Sequence, residues 1–189
     1  ALGEEPRLQL APWLLGGQQS GHVDSVGFEL YTSMLERSVR ELKGEAAPEP
    51  AEAQLNLGLN VRIPEEYVAE ENQRLRVYKR IAAVESEEQR QRAREELADR
   101  YGPLPEAVVN LLDYAALKLT AEQMRIRTID RRGDRVSVEF TEDARVDPEK
   151  LMTFVSTAPG AEFTPAGVLK FEAPTLPAIR SALEGLRGN

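Results

Sequence analysis

The sequence contains no cysteine, a single histidine and few aromatic residues, 6% of 189 residues. Without cysteine the chain can form neither disulfide bonds nor thiolate metal sites. The one histidine, His22, cannot build a histidine-rich metal site and needs partners to act as an acid or base. A surface or capping role therefore explains it best.

Two further absences concern targeting and phosphate binding. No apolar run approaches the roughly 18 residues of a membrane helix, and no positively charged signal peptide opens the chain. A G-x-x-x-x-G-K-[ST] loop for phosphate is also missing. We therefore expect a soluble, cytoplasmic protein that has no catalytic residues, no metal site and no cofactor of its own, and that does not contact a membrane.

The charge balance is acidic, with 32 acidic and 24 basic residues and a net charge of −8. A nucleic-acid surface needs a basic patch, so the overall charge argues against one. An acidic surface instead favours solubility and docking on a basic partner. The hydrophobic fraction of 41% is sufficient for a buried core.

The chain divides into three predicted parts, which are residues 1–45, a linker at 46–54 and a main domain at 55–189. Residues 22–43 carry apolar positions at helical spacing, which predicts one long amphipathic helix. The segment EAAPEPAEAQ, rich in Pro, Ala and Glu, follows it and has no periodicity, as is typical of a linker.

The main domain is predicted to be α+β, a compact C-terminal domain of about four helices with short mixed strands. Alternating apolar residues over 55–63 predict a first strand. An Arg132-Gly133 turn joins two later strands. The other predicted segments are helices at 70–84, 87–101, 105–124, 148–155 and 176–186, and strands at 126–129, 135–140 and 168–171.

The helix predicted at 87–101 is unusually polar and should lie on the surface. Ser86 and Gln89 form a capping-box pattern at its start, and its apolar stripe comprises only Ala93, Leu97 and Tyr101. Glu96 and Asp99 are three residues apart and therefore neighbours on one face. A solvated face is the ordinary interpretation of such a charge run.

Three stretches carry a family resemblance: LLGGQQSGHVDSVGFELY; NVRIPEEYV with NQRLRVYKRIA; and EELADRYGPLPEAVVNLL with LLDYAALKL. Their order and spacing from about residue 14 to 171 resemble the C-terminal part of the bacterial transcription-repair coupling factors, the Mfd family. The resemblance implies a full-length ATP-driven DNA translocase whose motor domains bind ATP and Mg²⁺. Such a protein displaces stalled RNA polymerase from damaged double-stranded DNA and recruits the excision-repair subunit UvrA.

For this chain the resemblance implies a non-catalytic regulatory domain. It would dock on the UvrB-like domain of the same polypeptide and mask the UvrA-binding surface until the motor engages DNA and polymerase. Glu96 and Asp99 match the acidic residues that contact basic ones on the UvrB-like domain. Gln19 matches a glutamine of the translocation motif that the family shares with RecG. The segment Gln9–Trp13 departs from the family pattern, because Pro12 removes backbone freedom that glycine would give.

Two other functions remain open at this point. Residues 14–43 could instead contact DNA as an accessory of the motor, and salt-dependent DNA binding by residues 46–189 alone would favour such an accessory role. An enzymatic activity of the chain itself has no residues to support it, and ATP turnover by the isolated chain would contradict both interaction hypotheses.

Overall fold

A five-stranded mixed sheet and five helices make up residues 52–188, the part of the chain that the computed structural model describes. This arrangement confirms the predicted α+β class. The strands are β1 (Gln54–Asn56), β2 (Ile126–Arg132), β3 (Arg135–Phe140), β4 (Glu162–Phe163) and β5 (Val168–Glu172). The helices are α1 (Glu71–Ala82), α2 (Glu87–Tyr101), α3 (Glu106–Gln123), α4 (Pro148–Thr157) and α5 (Leu176–Leu186).

The strand order across the sheet is β1-β2-β3-β5-β4. Only β1 and β2 run parallel, and every other neighbouring pair is antiparallel. The predicted hairpin between β2 and β3 is present, with Arg132 opposite Arg135. Gly133 has a φ of +63°, a left-handed conformation that glycine adopts at no steric cost. The turn therefore fixes the register of the sheet's central strands.

Helix α3 lies at the centre of the packing and contacts α1, α2, α5 and β2. Buried residues occur on more than one face of this helix, as expected for a helix surrounded by other elements. Most of the largest completely buried side chains of the domain come from α1, α3, the sheet and α5, and these include Ile81, Leu111, Leu117, Ile129, Leu169 and Leu183. One continuous core therefore joins the sheet to the helical layer.

The strand predicted at 55–63 is wrong in its extent. Only Gln54–Asn56 pairs with the sheet, and Gly58 then adopts a φ of +63°, which ends the extended conformation. The alternation nevertheless reflects burial, because Leu57 and Ile63 lie in the core. The backbone amide of Ile63 donates to the Tyr78 hydroxyl at 2.8 Å, a contact that holds this segment against α1 without strand pairing.

Helical spacing over 70–84 predicts an inward face made of Leu75, Tyr78, Ile81 and Ala82, and the structure buries only Tyr78 and Ile81 of these. Leu75 is only half-buried and Ala82 is exposed, whereas Arg74 is buried. The Arg74 guanidinium donates to the carbonyl oxygens of Val68 at 2.9 Å and Ala69 at 2.8 Å. A buried polar group is tolerated when it is hydrogen-bonded, so a charged residue occupies a position that hydropathy alone assigns to an apolar one.

The remaining helices agree with the sequence prediction to within one or two residues at most ends. Strand β4 was not predicted, since two residues are too short for an alternation to be recognised. Ala53, placed in the predicted linker, is buried in the core.

The predicted helix at 22–43 and most of the linker lie outside the described residues. In the described part of the chain, no helix is long and apolar enough to cross a membrane.

A shortened chain of residues 52–189 should unfold in one cooperative transition, because a continuous core joins its helices and sheet. Its urea-derived free energy of unfolding should lie close to that of the full chain. A chain starting at residue 59 is the control. It lacks β1 and the buried Leu55 and Leu57, each worth roughly 1.5–3 kcal/mol, and should be clearly less stable. Non-cooperative unfolding of the 52–189 chain would show that the domain boundary is misplaced.

Candidate docking surface on helix α2

Helix α2 begins with the predicted cap. The Ser86 hydroxyl accepts a hydrogen bond from the Gln89 amide at 3.2 Å, and the Gln89 side chain accepts one from the Glu85 amide at 2.8 Å. These bonds satisfy backbone donors that have no partner within the helix. The capping-box prediction is confirmed, with the return bond reaching one residue further back than in the usual form.

Charged side chains fix the N-terminal half of α2 to the helical layer. Arg90 donates to Glu87 on its own helix at 2.5 Å and to Asp113 on α3 at 2.9 Å. Arg180 on α5 reaches Glu87 at 2.9 Å. The side chains of Arg90 and Asp113 are each only 16% exposed, so this pair is more shielded than an ordinary surface ion pair. Three helices are therefore joined through one ionic network.

Burial and charge oppose each other in this network. Burial raises the pKa of Asp113, and the positive charge of Arg90 lowers it in part. The hydrogen bond from Arg90 holds the pKa of Glu87 below its usual value. Arg90 is therefore the shared counter-charge for two carboxylates in different environments.

The C-terminal half of α2 is held by apolar contacts and by Tyr67. Ala93 and Leu97 are buried, and the ring of Tyr101 lies 5.7 Å from that of Tyr67. The Tyr67 hydroxyl lies 3.0 Å from the carbonyl oxygen of Leu97 and 3.1 Å from that of Gly102, and can donate to either. The end of the helix is thereby attached to the loop before α1.

The two predicted docking residues are both exposed, as predicted. Glu96 accepts a hydrogen bond from Arg80 on α1 at 3.2 Å. Asp99 has no ion-pair partner within residues 52–188. The two carboxylates thus share one helix but differ in environment. Gln19, the translocation-motif candidate, lies outside the described residues.

Residues 52–188 contain no group of three or more His, Cys, Asp or Glu side chains arranged to hold a metal ion. What the arrangement on α2 offers is a helix attached near both ends whose exposed face carries the carboxylates of Glu95, Glu96 and Asp99 beside exposed arginine side chains. Such a surface can recognise arginine or lysine side chains on another domain.

The TRCF domain family matches residues 57–151, which include α1, α2 and α3. This chain belongs to the transcription-repair coupling factor family. It is 36% identical over 151 residues to the transcription-repair-coupling factor of Haemophilus influenzae, covering 77% of this chain and 13% of that protein. It is 37% identical over 141 residues to that of Bacillus subtilis, covering 73% and 12% respectively. The chain therefore spans only about an eighth of the length of these coupling factors.

The fold also has a solved counterpart. The crystal structure of the C-terminal domain of a transcription-repair coupling factor superposes with a TM-score of 0.60. The match covers 71% of this chain and 88% of that one at 19% sequence identity. The similarity of fold extends to nearly all of that C-terminal domain.

Several ion pairs that helix α2 forms with neighbouring helices could not be predicted from the sequence. The i, i+3 spacing of Glu87 and Arg90 is visible in the sequence, but their partners Asp113 and Arg180 are distant along the chain. The pairing of Arg80 with Glu96 likewise depends on how α1 lies beside α2. No signal in a single sequence could have assigned these partners.

Replacing Arg90 with Gln should lower the free energy of unfolding at pH 7 by about 1–3 kcal/mol, because Asp113 loses its nearest cation. The matched control is Arg92→Gln. Its pair with Glu88 is exposed, and its loss should cost no more than about 0.5 kcal/mol. Urea denaturation followed by circular dichroism measures both effects.

The Arg90→Gln effect should shrink as the pH falls from 7 towards about 4. The pKa of Asp113 is raised by burial and lowered in part by Arg90, so it should rise further in the variant, and protonation of Asp113 then relieves more destabilisation in the variant than in the wild type. The pKa of Glu87 is lowered, so the stability that Arg90 gives through it is present above the ordinary glutamate pKa of 4.5 and is lost as the pH falls below that value. Both effects reduce the difference in the free energy of unfolding between the variant and the wild type as the pH falls. If this difference in the free energy of unfolding grew on acidification, Arg90 would not be the counter-charge of Asp113 and Glu87.

Proposed function

We propose that residues 52–188 form a regulatory, non-catalytic domain of a cytoplasmic transcription-coupled repair translocase. In this proposal the domain docks on the UvrB-like domain of the same polypeptide and masks UvrA binding. It is released when the motor, which holds ATP and Mg²⁺, engages double-stranded DNA and a stalled RNA polymerase. Glu96 and Asp99 are the proposed contacts.

The observation that carries the proposal is the pair of exposed carboxylates on a helix fixed at both ends. Because Arg90 and Tyr67 attach α2 to neighbouring elements, the exposed side chains are presented on a rigid scaffold. A partner then loses little conformational entropy in ordering the helix itself. Membership of the coupling-factor family supports the choice of partner.

The free energy of the proposed ion pairs is small enough for a contact between domains that must open. An exposed ion pair contributes only about 0.2–1 kcal/mol. Two or three such pairs suffice when the partner belongs to the same polypeptide, because its effective concentration is high. A closed state that is only a few kcal/mol below the open one can be opened by the engagement of other ligands.

Replacing both Glu96 and Asp99 with Lys should increase UvrA binding by the full-length protein, since attraction to basic residues becomes repulsion. The free energy of unfolding of this chain should change little, because both side chains are exposed. Pull-down or calorimetric titration with purified UvrA measures the first effect, and urea denaturation measures the second. Inhibition in the wild type should also weaken with added salt.

The control is the double replacement of Glu142 and Glu172 with Lys. These exposed residues lie outside α1 and α2, and the change in net charge is the same. UvrA binding should then stay at the wild-type level. If the α2 double variant folds normally and binds UvrA no better than wild type, the docking surface lies elsewhere. ATP turnover by the isolated chain would contradict the non-catalytic assignment.

A further inference from the structure

The Glu96 carboxylate is already engaged in the undocked domain. The Nε atom of Arg80 lies 3.2 Å from Oε2 of Glu96, across the contact between α1 and α2. The two side chains are 39% and 55% exposed, so a partner could reach either of them. Any cation that docks on Glu96 must therefore share this carboxylate or displace Arg80.

We infer that Arg80 competes with the docking partner for Glu96 and so weakens the closed state of the regulatory clamp. This inference rests on the proposed function and adds a residue of α1 to the control of the same surface. The partner is recognised by its chemistry, as an arginine or lysine side chain that replaces one charge-assisted hydrogen bond with another.

Competition by Arg80 makes the contributions of Glu96 and Asp99 to docking unequal. Asp99 has no ion-pair partner within residues 52–188, so docking there forms a contact without breaking one. Docking at Glu96 loses part of its gain through the broken contact with Arg80. Asp99→Asn should consequently open the clamp more than Glu96→Gln does.

The main experiment replaces Arg80 with Gln in the full-length protein and measures UvrA binding. Removing the competitor should tighten the clamp and weaken apparent UvrA affinity, by up to about fivefold, the range of one exposed ion pair. The control is Arg76→Gln, which makes the same charge change one helical turn earlier on α1. Arg76 is exposed and has no ion-pair partner within residues 52–188, so this control should have little effect.

A double-mutant cycle tests whether Arg80 acts through Glu96. In a Glu96→Gln background, Arg80→Gln should no longer change UvrA affinity. An undiminished effect in that background, or an equal effect of Arg76→Gln, would attribute the change to net charge and overturn the inference.

The remaining outcomes separate this inference from the proposed function. If the α2 double lysine variant raises UvrA binding but Arg80→Gln changes nothing, the clamp stands and competition by Arg80 is wrong. If the double lysine variant itself has no effect, the proposed docking surface fails and this inference fails with it. Urea denaturation of each variant verifies that the fold is retained.

Discussion

The candidate docking surface depends on how helix α2 is fixed to the rest of the domain. Only Ala93 and Leu97 of this helix are fully buried, so hydrophobic burial alone gives it little attachment. The shielded pair of Arg90 and Asp113 supplies the attachment at one end, and the hydroxyl of Tyr67 supplies it at the other. A helix held by two buried apolar side chains and by polar contacts near both ends can keep nearly its whole outer face charged.

A helix as polar as α2 can belong to a stable domain because other elements form most of the hydrophobic core. Most of the core is built by α1, α3, α5 and the sheet, which bury most of the large apolar side chains. Helix α2 contributes only Ala93 and Leu97 to the buried core and leaves most of its charged side chains exposed to solvent. The same arrangement places α1 beside it, where Arg80 meets Glu96. A surface for recognising another domain and an internal competitor for that surface thus arise from one helix–helix contact.

Much of the secondary structure could be predicted, and the errors have local causes. The bounds of α2 follow from the Ser86 cap and from Gly102, which ends the helix with a φ of +88°. The strand predicted at 55–63 failed because Gly58 interrupts it, although the alternation correctly marked buried positions. The inward face of α1 was misassigned because hydropathy cannot anticipate that Arg74 is buried by bonding two loop carbonyls.

The sequence by itself determined the helices, the Ser86 cap of α2, the β2–β3 hairpin and the exposure of Glu96 and Asp99. These features rest on interactions between residues a few positions apart, which a linear pattern records. Only the tertiary structure decided that Arg90 pairs with Asp113, 23 residues away, and Arg80 with Glu96, 16 residues away. Such partners are set by the angles at which helices pack, and many carboxylates in an acidic chain could have served equally well by charge alone.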